Sequence, residues 1–273
     1  MNPTLHRRIQ RYGWDIAASS YDPSWKEQLK PARDILLEMA DLESGSNVLE
    51  TACGTGLLTF PVANSLKPGG TVTATDLSEE MITLAKGKAD AHNIKNATFH
   101  QMDAEKLSFN DQTFNTTLCS LGIMYYPDPV ESLREKHRVL KSGGKAVIST
   151  WGERQNCGWA TIFPIVDKRV ETDVCPLFFQ QGTGRTLDHS FEQAGFRNIQ
   201  KRRVNVTLDY PSADLALMGA FAGGPVALAY QKFNEDTKQA AHNEYLESIS
   251  AYKNGDGYRI PGEFVIASAI KPS

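Results

Sequence analysis

From about Ser44 to Trp151 the chain alternates short β-rich runs with longer helical ones, and few folds accept that rhythm. "NVLETA" (Asn47–Ala52) reads as a buried strand that feeds a glycine turn and then a helix through "GLLTFPVANSL". "TVTATD" (Thr71–Asp76) is a second strand, and "LSEEMITLAKGKADAHN" a helix capped by Ser78 with Glu79 and Glu80 in its first turn. "ATFHQMD" and "TFNTTLCSLGI" follow as strands, "DPVESLREKHRVL" as a helix ended by "KSGG", and "KAVISTW" as a fifth strand. Strand, helix, strand at this spacing demands right-handed crossovers and a parallel sheet covered on both faces. Ligands on such a sheet bind outside the carboxyl ends of its strands. The residues just after Ala52, Asp76, Met102, Ser120 and Thr150 are therefore the ones to question.

Beyond Trp151 the alternation stops. Residues 152–184 carry several aromatics and no clear period, "SFEQAGF" reads as a helix, and "RNIQKRRVNVTLDY" as a long strand. Residues 211–257 are helical in composition, with "ADLALMGAFA" and "DTKQAAHNEYLESISAYK", and "EFVIASAIKP" closes the chain as a strand. The expected fold is α/β: a doubly wound, mostly parallel, seven-stranded sheet with a lid from the N-terminal arm and the C-terminal insertions. The expected divisions are an N-terminal arm (1–43), a ligand-binding core (44–152), an aromatic insertion with return to the sheet (153–210), a helical lid (211–257) and a final core strand (258–273).

Bulk properties narrow the partners. A net charge of -3 and pI near 6.1 give no general pull toward nucleic acid or an anionic membrane. The basic clusters "KHRVLK" and "KRRVNV" read as solvated helix and strand faces. No stretch approaches the ~18 uncharged apolar residues of a spanning helix, and the N-terminus lacks a secretory core. Cys53, Cys119, Cys157 and Cys175 stand far apart without a CxxC pair, which fits reduced thiols in a cytoplasmic protein and no metal site. A homodimer stays open.

The glycine turn asks for a nucleotide-type ligand. A dinucleotide fingerprint needs a third glycine where this chain has Thr59, and no GK[ST] follows as a P-loop requires. Asp76, ending the second strand, suits the two hydroxyls of any adenosine ribose. Glu50 discriminates: a carboxylate at the top of the first strand would repel a pyrophosphate and suit the ammonium and sulfonium of S-adenosylmethionine. Its alternative role is structural, bonding amides in the turn.

With these residues in place, the sequence from Tyr12 to Trp151 resembles the class I S-adenosylmethionine-dependent methyltransferases, in their small-molecule branch with the ubiquinone/menaquinone enzymes. "VLETACGTG", "TATDLSEEMI", "MDAEKLSF", "LCSLGIMYYPDP" and "HRVLKSGGKAVISTW" match its motifs in order. The resemblance implies a Rossmann-like fold and S-adenosylmethionine as cofactor, with S-adenosylhomocysteine as product. It implies that Glu50, Ala52, Cys53, Gly54 and Gly56 shape the methionine end and that Asp76 holds the ribose. Leu77 and Met81 would line the adenine, Asp103 would accept from its amino group, Ala104 would supply an amide, and Ser120 belongs to the fourth-strand motif. "YGWDIAASSYD" resembles the arm whose Tyr-Asp pair, here Tyr21 and Asp22, closes over the cofactor. Ala52 stands where glycine is commoner, and "KSGG" replaces K-P-G-G.

Methyl transfer from a sulfonium is an in-line displacement that demands alignment and dryness rather than an obligatory residue. If the acceptor needs a base, the candidates are His189, Tyr125, Tyr126, Tyr21 and Glu192. Trp151, Trp159, Phe163, Phe178, Phe179 and Phe221 suggest an apolar or aromatic pocket for a small-molecule acceptor, or else a core between insertion and sheet. Two other readings are a non-catalytic S-adenosylmethionine-binding sensor or subunit, and an arsenite methyltransferase using Cys53, Cys157 and Cys175.

Overall fold

Two helices precede the sheet. α1 (Pro3–Trp25) begins where the Asn2 side chain accepts from the Thr4 amide and Pro3 takes the first helical position. It continues unbroken through the whole of "YGWDIAASSYD". α2 (Lys30–Ala40) buries Ala32, Leu36 and Ala40 against the sheet. The structure, a computed structural model, describes residues 2–170 and 177–273.

The alternation then appears as β1 (Asn47–Thr51), α3 (Thr59–Ser65), β2 (Thr71–Asp76), α4 (Glu79–Ala91), β3 (Ala97–Gln101), β4 (Phe114–Ser120), α5 (Pro129–Val139) and β5 (Leu140–Trp151). The less regular half supplies α6 (Ile162–Asp167), α7 (Thr186–Gln193), β6 (Arg197–Tyr210), α8 (Ala213–Leu217), α9 (Ala227–Tyr230), α10 (Glu235–Ser248), β7 (Lys253–Asn254) and β8 (Gly257–Ile270). Strand order across the sheet is β3-β2-β1-β4-β5-β8-β6, with β7 paired only to β8. β1 to β5 run parallel, whereas β8 is antiparallel to both β5 and β6. Seven strands were expected; the eighth is the two-residue β7.

The order reverses between β1 and β4, so the loops after these strands diverge and leave a crevice at their carboxyl ends. One face of the sheet is packed by α2, the insertion and the late helices, through a core that includes Leu36, Val48, Leu118, Trp151 and Phe264. α5 and α7 cover part of the other face over Leu133, Ile148, Phe191 and Phe196.

Four local expectations change. α3 starts at Thr59, three residues after Gly56, because the turn reaches further before helical bonding begins. "KSGG" lies inside β5, where Gly143 at φ 74° and a register shift against β4 absorb the bend. "ADLALMGAFA" divides into α8 and a π-helical turn, Met218–Ala222. The basic run "KHRVLK" is not all solvated: Lys136 is fully buried, with its stem in the core and its ammonium 5.3 Å from the centre of the Tyr126 ring.

Candidate functional site

The crevice is built first from backbone. After β1 the chain turns through Ala52 and Gly54, at φ 54° and 53°, in the left-handed region. Ala52 bears this conformation at a cost on the order of 1 kcal/mol relative to glycine. Leu121, just after β4, has φ 56°, so both loops flanking the crevice hold a strained non-glycine residue. Gly122 cannot be anything larger, since a Cβ there would lie 2.4 Å from that of Ala52 and 2.9 Å from Cys119 Sγ.

Asp76, at the end of β2, ties the loops together. Its Oδ2 accepts from the Gly54 amide at 2.8 Å and its Oδ1 from the Ser78 amide at 2.9 Å. Burial raises its carboxyl to about 6, against the opposing pull of the Ser78, Gly54 and Leu77 amides. A carboxylate has about four acceptor sites, so capacity remains for a diol. Leu77, Met81 and Met102 supply apolar wall beside it, with Asp103 and Ala104 beyond. This donor set fits an adenosine: a carboxylate for the ribose, thioether and aliphatic surface for the ring, and an acid at the far end.

Glu50 is placed differently. It is 1% exposed, accepts from Thr59 Oγ1 at 2.7 Å, and stands behind the turn rather than in the wall of the crevice. Burial pushes its carboxyl up to about 8, with Thr59 opposing and Asp76 adding to the rise. Glu50 is thus largely protonated at neutral pH until a cation approaches. Cys53 and Gly56 also sit outside the wall: Cys53 packs with Ala74, Ile82 and Phe99, and Gly56, at φ 90°, lies against the Phe60 ring.

α1 closes the crevice from above. Arg7, Gln10, Trp14 and Tyr21 recur at helical spacing and share the face turned to the cleft. His6 Nε2 bonds the Tyr125 carbonyl at 3.1 Å, and Arg7 Nε meets Asp103 Oδ2 at 2.8 Å and Glu105 Oε2 at 2.7 Å. Asp15 accepts from Ser78 Oγ at 2.6 Å, and Asp22 binds Thr55 Oγ1 at 2.5 Å and the Lys88 ammonium. Residues of α1 thus form one wall of the cleft, opposite the strand ends.

A second cavity opens beside the first. Trp14, Tyr21, Leu121 and Tyr125 belong to both walls, and the far side is Trp25, Trp151, Trp159 and Phe178. The rings hold one another: Trp151 stacks obliquely on Phe264 at 4.4 Å and on Trp159 at 4.7 Å, and Phe178 meets Trp159 edge-on at 5.5 Å. Phe163 and Phe179 support this wall from behind, whereas Phe221 packs with Tyr230, His242 and Tyr245 among the late helices.

Of the sequence-predicted site residues, the structure brings Tyr21, Ala52, Gly54, Asp76, Leu77, Met81, Asp103, Ala104, Ser120 and Tyr125 to the cleft. It does not bring His189 there. That residue lies on α7 with a side chain 57% exposed, paired to Glu192 at 3.1 Å, and neither lines the cleft or the second cavity. Burial holds the Tyr21 phenol well above its usual range despite the opposing Arg33, so Tyr21 meets a ligand as a hydroxyl. Tyr126 lines the cleft with its hydroxyl 3.3 Å from Thr51 Oγ1, and burial raises it likewise. Arg7, Gln10, Trp14 and Glu105 were missed. The signal for the first three was their helical register with Tyr21 along α1. Cys53 and Cys157 lie in separate core clusters, and Cys175 lies outside the described residues. Burial raises both thiols, Cys157 to about 12.

Comparison with known proteins agrees with this geometry. Residues 42–195 match the profile of a family described as a methyltransferase domain. A demethylmenaquinone methyltransferase of Bacillus cytotoxicus is 30% identical over 189 residues, covering 63% of this chain and 78% of that one. The Bacillus subtilis YcgJ protein superposes with a TM-score of 0.65 at 16% identity, over 89% of this chain and 99% of its own. Phosphoethanolamine N-methyltransferase 2 of Haemonchus contortus, solved with S-adenosyl-L-methionine, gives 0.59 at 18% identity, over 89% of this chain and 53% of its own.

Proposed function

Because the chain belongs to the class I S-adenosylmethionine-dependent methyltransferases, we propose that it methylates a small, planar, apolar molecule seated in the aromatic chamber. The observation that carries this reading is the chamber itself. It opens onto the cofactor cleft through four shared residues, and its remaining walls include three tryptophans and a phenylalanine. The net charge of -3 favours a small molecule over nucleic acid as the partner.

The cofactor supplies an electrophilic methyl group on a sulfonium. The residues that would hold it are Asp76 at the ribose hydroxyls, Leu77, Met81 and Met102 against the adenine, and Asp103 with the Ala104 amide at its edge. The Gly54 turn would let backbone approach the methionine part, with Glu50 behind it as counter-charge. Tyr21 and Trp14 stand between the two cavities and would align the acceptor with the methyl. α1 would exclude water, and positioning of this kind contributes up to several kcal/mol. Tyr21, held as a hydroxyl, would donate to the acceptor rather than take its proton.

The test is methyl transfer from labelled S-adenosylmethionine to a panel of hydroxylated bicyclic arenes, quinols, small amines, a peptide mixture and RNA. Label in the arenes or quinols is the expected result. Label confined to peptides or RNA would overturn the reading, and tight S-adenosylhomocysteine binding without transfer to any class would turn it toward a non-catalytic binder.

A further inference from the structure

Two tryptophans of the chamber wall differ in one respect. The Trp25 indole N–H donates to the Gly223 carbonyl at 2.9 Å, whereas the Trp159 indole N–H has no partner among the described residues. Trp159 is 4% exposed and sits amid the rings of Trp25, Trp151, Phe163, Phe178 and Phe179. A buried donor left unpaired costs about 1–3 kcal/mol, and native folds rarely leave one without a purpose. Arg11, Arg33, Asn96, Thr117 and Asp188 also carry buried unpaired atoms, but none of them lines the chamber.

Resting on the acceptor reading above, we infer that the Trp159 indole N–H donates a hydrogen bond to an oxygen of the acceptor. The chamber therefore selects flat rings that carry a carbonyl or hydroxyl oxygen over bare hydrocarbons. The argument joins two observations. The surrounding rings offer broad apolar faces that suit a planar guest but do not orient it within its plane. One fixed donor supplies that orientation, because a guest lacking the oxygen leaves the N–H unpaired. Trp159 is a specificity-determining residue on this account and takes no part in bond making.

The experiment uses full-length protein saturated with S-adenosylhomocysteine and three probes of similar size: naphthalene, 2-naphthol and coumarin. Affinities are measured by equilibrium dialysis for wild type, Trp159→Phe and Trp159→His, with folding checked by circular dichroism. In wild type, 2-naphthol or coumarin should bind at least fivefold tighter than naphthalene. The probe that carries the preference tells hydroxyl from carbonyl. Trp159→Phe should lose the preference, read as the ratio of affinities within the variant, and Trp159→His, which retains a ring N–H, should recover part of it. Equal affinity for all three probes in wild type overturns the inference whatever the variants do, as does a preference that survives in folded Trp159→Phe. If wild type binds none of the three, the acceptor reading itself falls and takes this inference with it.

Discussion

The cofactor cleft and the aromatic chamber share Trp14, Tyr21, Leu121 and Tyr125, yet their other walls come from opposite kinds of structure. The cleft is a product of strand ends: Ala52, Gly54, Asp76, Met102 and Ser120 follow or close four parallel strands, and backbone amides fix its acid. The chamber is a product of side chains from α1, β5, the insertion and the late helices, held by ring against ring. The first can be kept by a rigid sheet while the second changes with its lining. Damage to one should therefore leave the other largely intact.

The harshest way to break that comparison is Trp151→Ala. Trp151 is 3% exposed at the end of β5, wedged between Phe264, Trp159 and Trp25. Its loss should cost about 3–5 kcal/mol of stability in chemical denaturation. S-adenosylhomocysteine affinity of the remaining folded protein should stay within about threefold, or ~0.6 kcal/mol. A parallel collapse in cofactor affinity would mean that the two cavities are one unit. Asp76→Ala is the converse. It removes the acceptor of two loop amides and the acid proposed for the ribose, so cofactor affinity should fall at least tenfold, about 1.4 kcal/mol, by calorimetric titration. The near-ultraviolet circular dichroism of the chamber tryptophans should not move. A dissociation constant within threefold of wild type would remove Asp76 from the ribose.

The same contrast explains how much was legible in the sequence. Strand ends and their turns are local: a run of apolar residues, a glycine, an acid at a fixed step. The turn through Ala52 and Gly54 and the acid that ends "TATD" were therefore legible as parts of the cleft. Glu50 was legible as an acid at the top of the first strand but not as one behind the wall, because which way a strand residue points depends on the helix packed beneath it. The chamber residues were visible as aromatics without being separable into wall and backing. Phe178 and Phe179 are adjacent in sequence, and tertiary packing alone put the first on the cavity and the second behind Trp159. Arg7, Gln10 and Trp14 acquired meaning only once α1 proved continuous over their register. His189 looked available because an isolated polar helix start carries no sign of which way it faces.

A gentler probe uses pH. Burial raises Glu50 to about 8 in the free protein, while the unfolded chain titrates near 4.5. The folded state thus holds one more proton than the unfolded state between these values, and this group's contribution to stability falls as pH climbs from about 4.5 to about 8. Cofactor binding should run the other way. A methionine ammonium near Glu50 favours the ionised carboxyl, so affinity should rise with pH toward 8 and binding at pH 7 should release protons. Calorimetry in buffers of different ionisation enthalpy would measure that release. Its disappearance in Glu50→Gln would assign it to this residue; persistence there would assign it to Asp76, raised to about 6, or elsewhere.

The smallest expected effect is at the lid. Arg7 bridges Asp103 and Glu105 across the mouth of the cleft, with its own side chain 32% exposed. Asp103 is also the acid proposed for the adenine amino group, so Arg7→Ala has two opposing consequences. It removes a strap that holds α1 closed, which speeds cofactor escape. It also frees Asp103 Oδ2 from a cation, which leaves that oxygen available to the ring. A partly exposed ion pair contributes about 1 kcal/mol or less, and the freed acceptor offsets part of that. The dissociation rate of S-adenosylhomocysteine in stopped flow should rise about threefold while its dissociation constant moves less than about twofold, because the loss at the strap (~0.6 kcal/mol for threefold) is shared with faster entry. Raising salt on wild type should reproduce the same pattern, since the strap is screened and the backbone-built cleft is not. A dissociation constant that weakens tenfold would make Arg7 a ligand contact instead of a latch, and would move part of the cofactor site from the strand ends onto the arm.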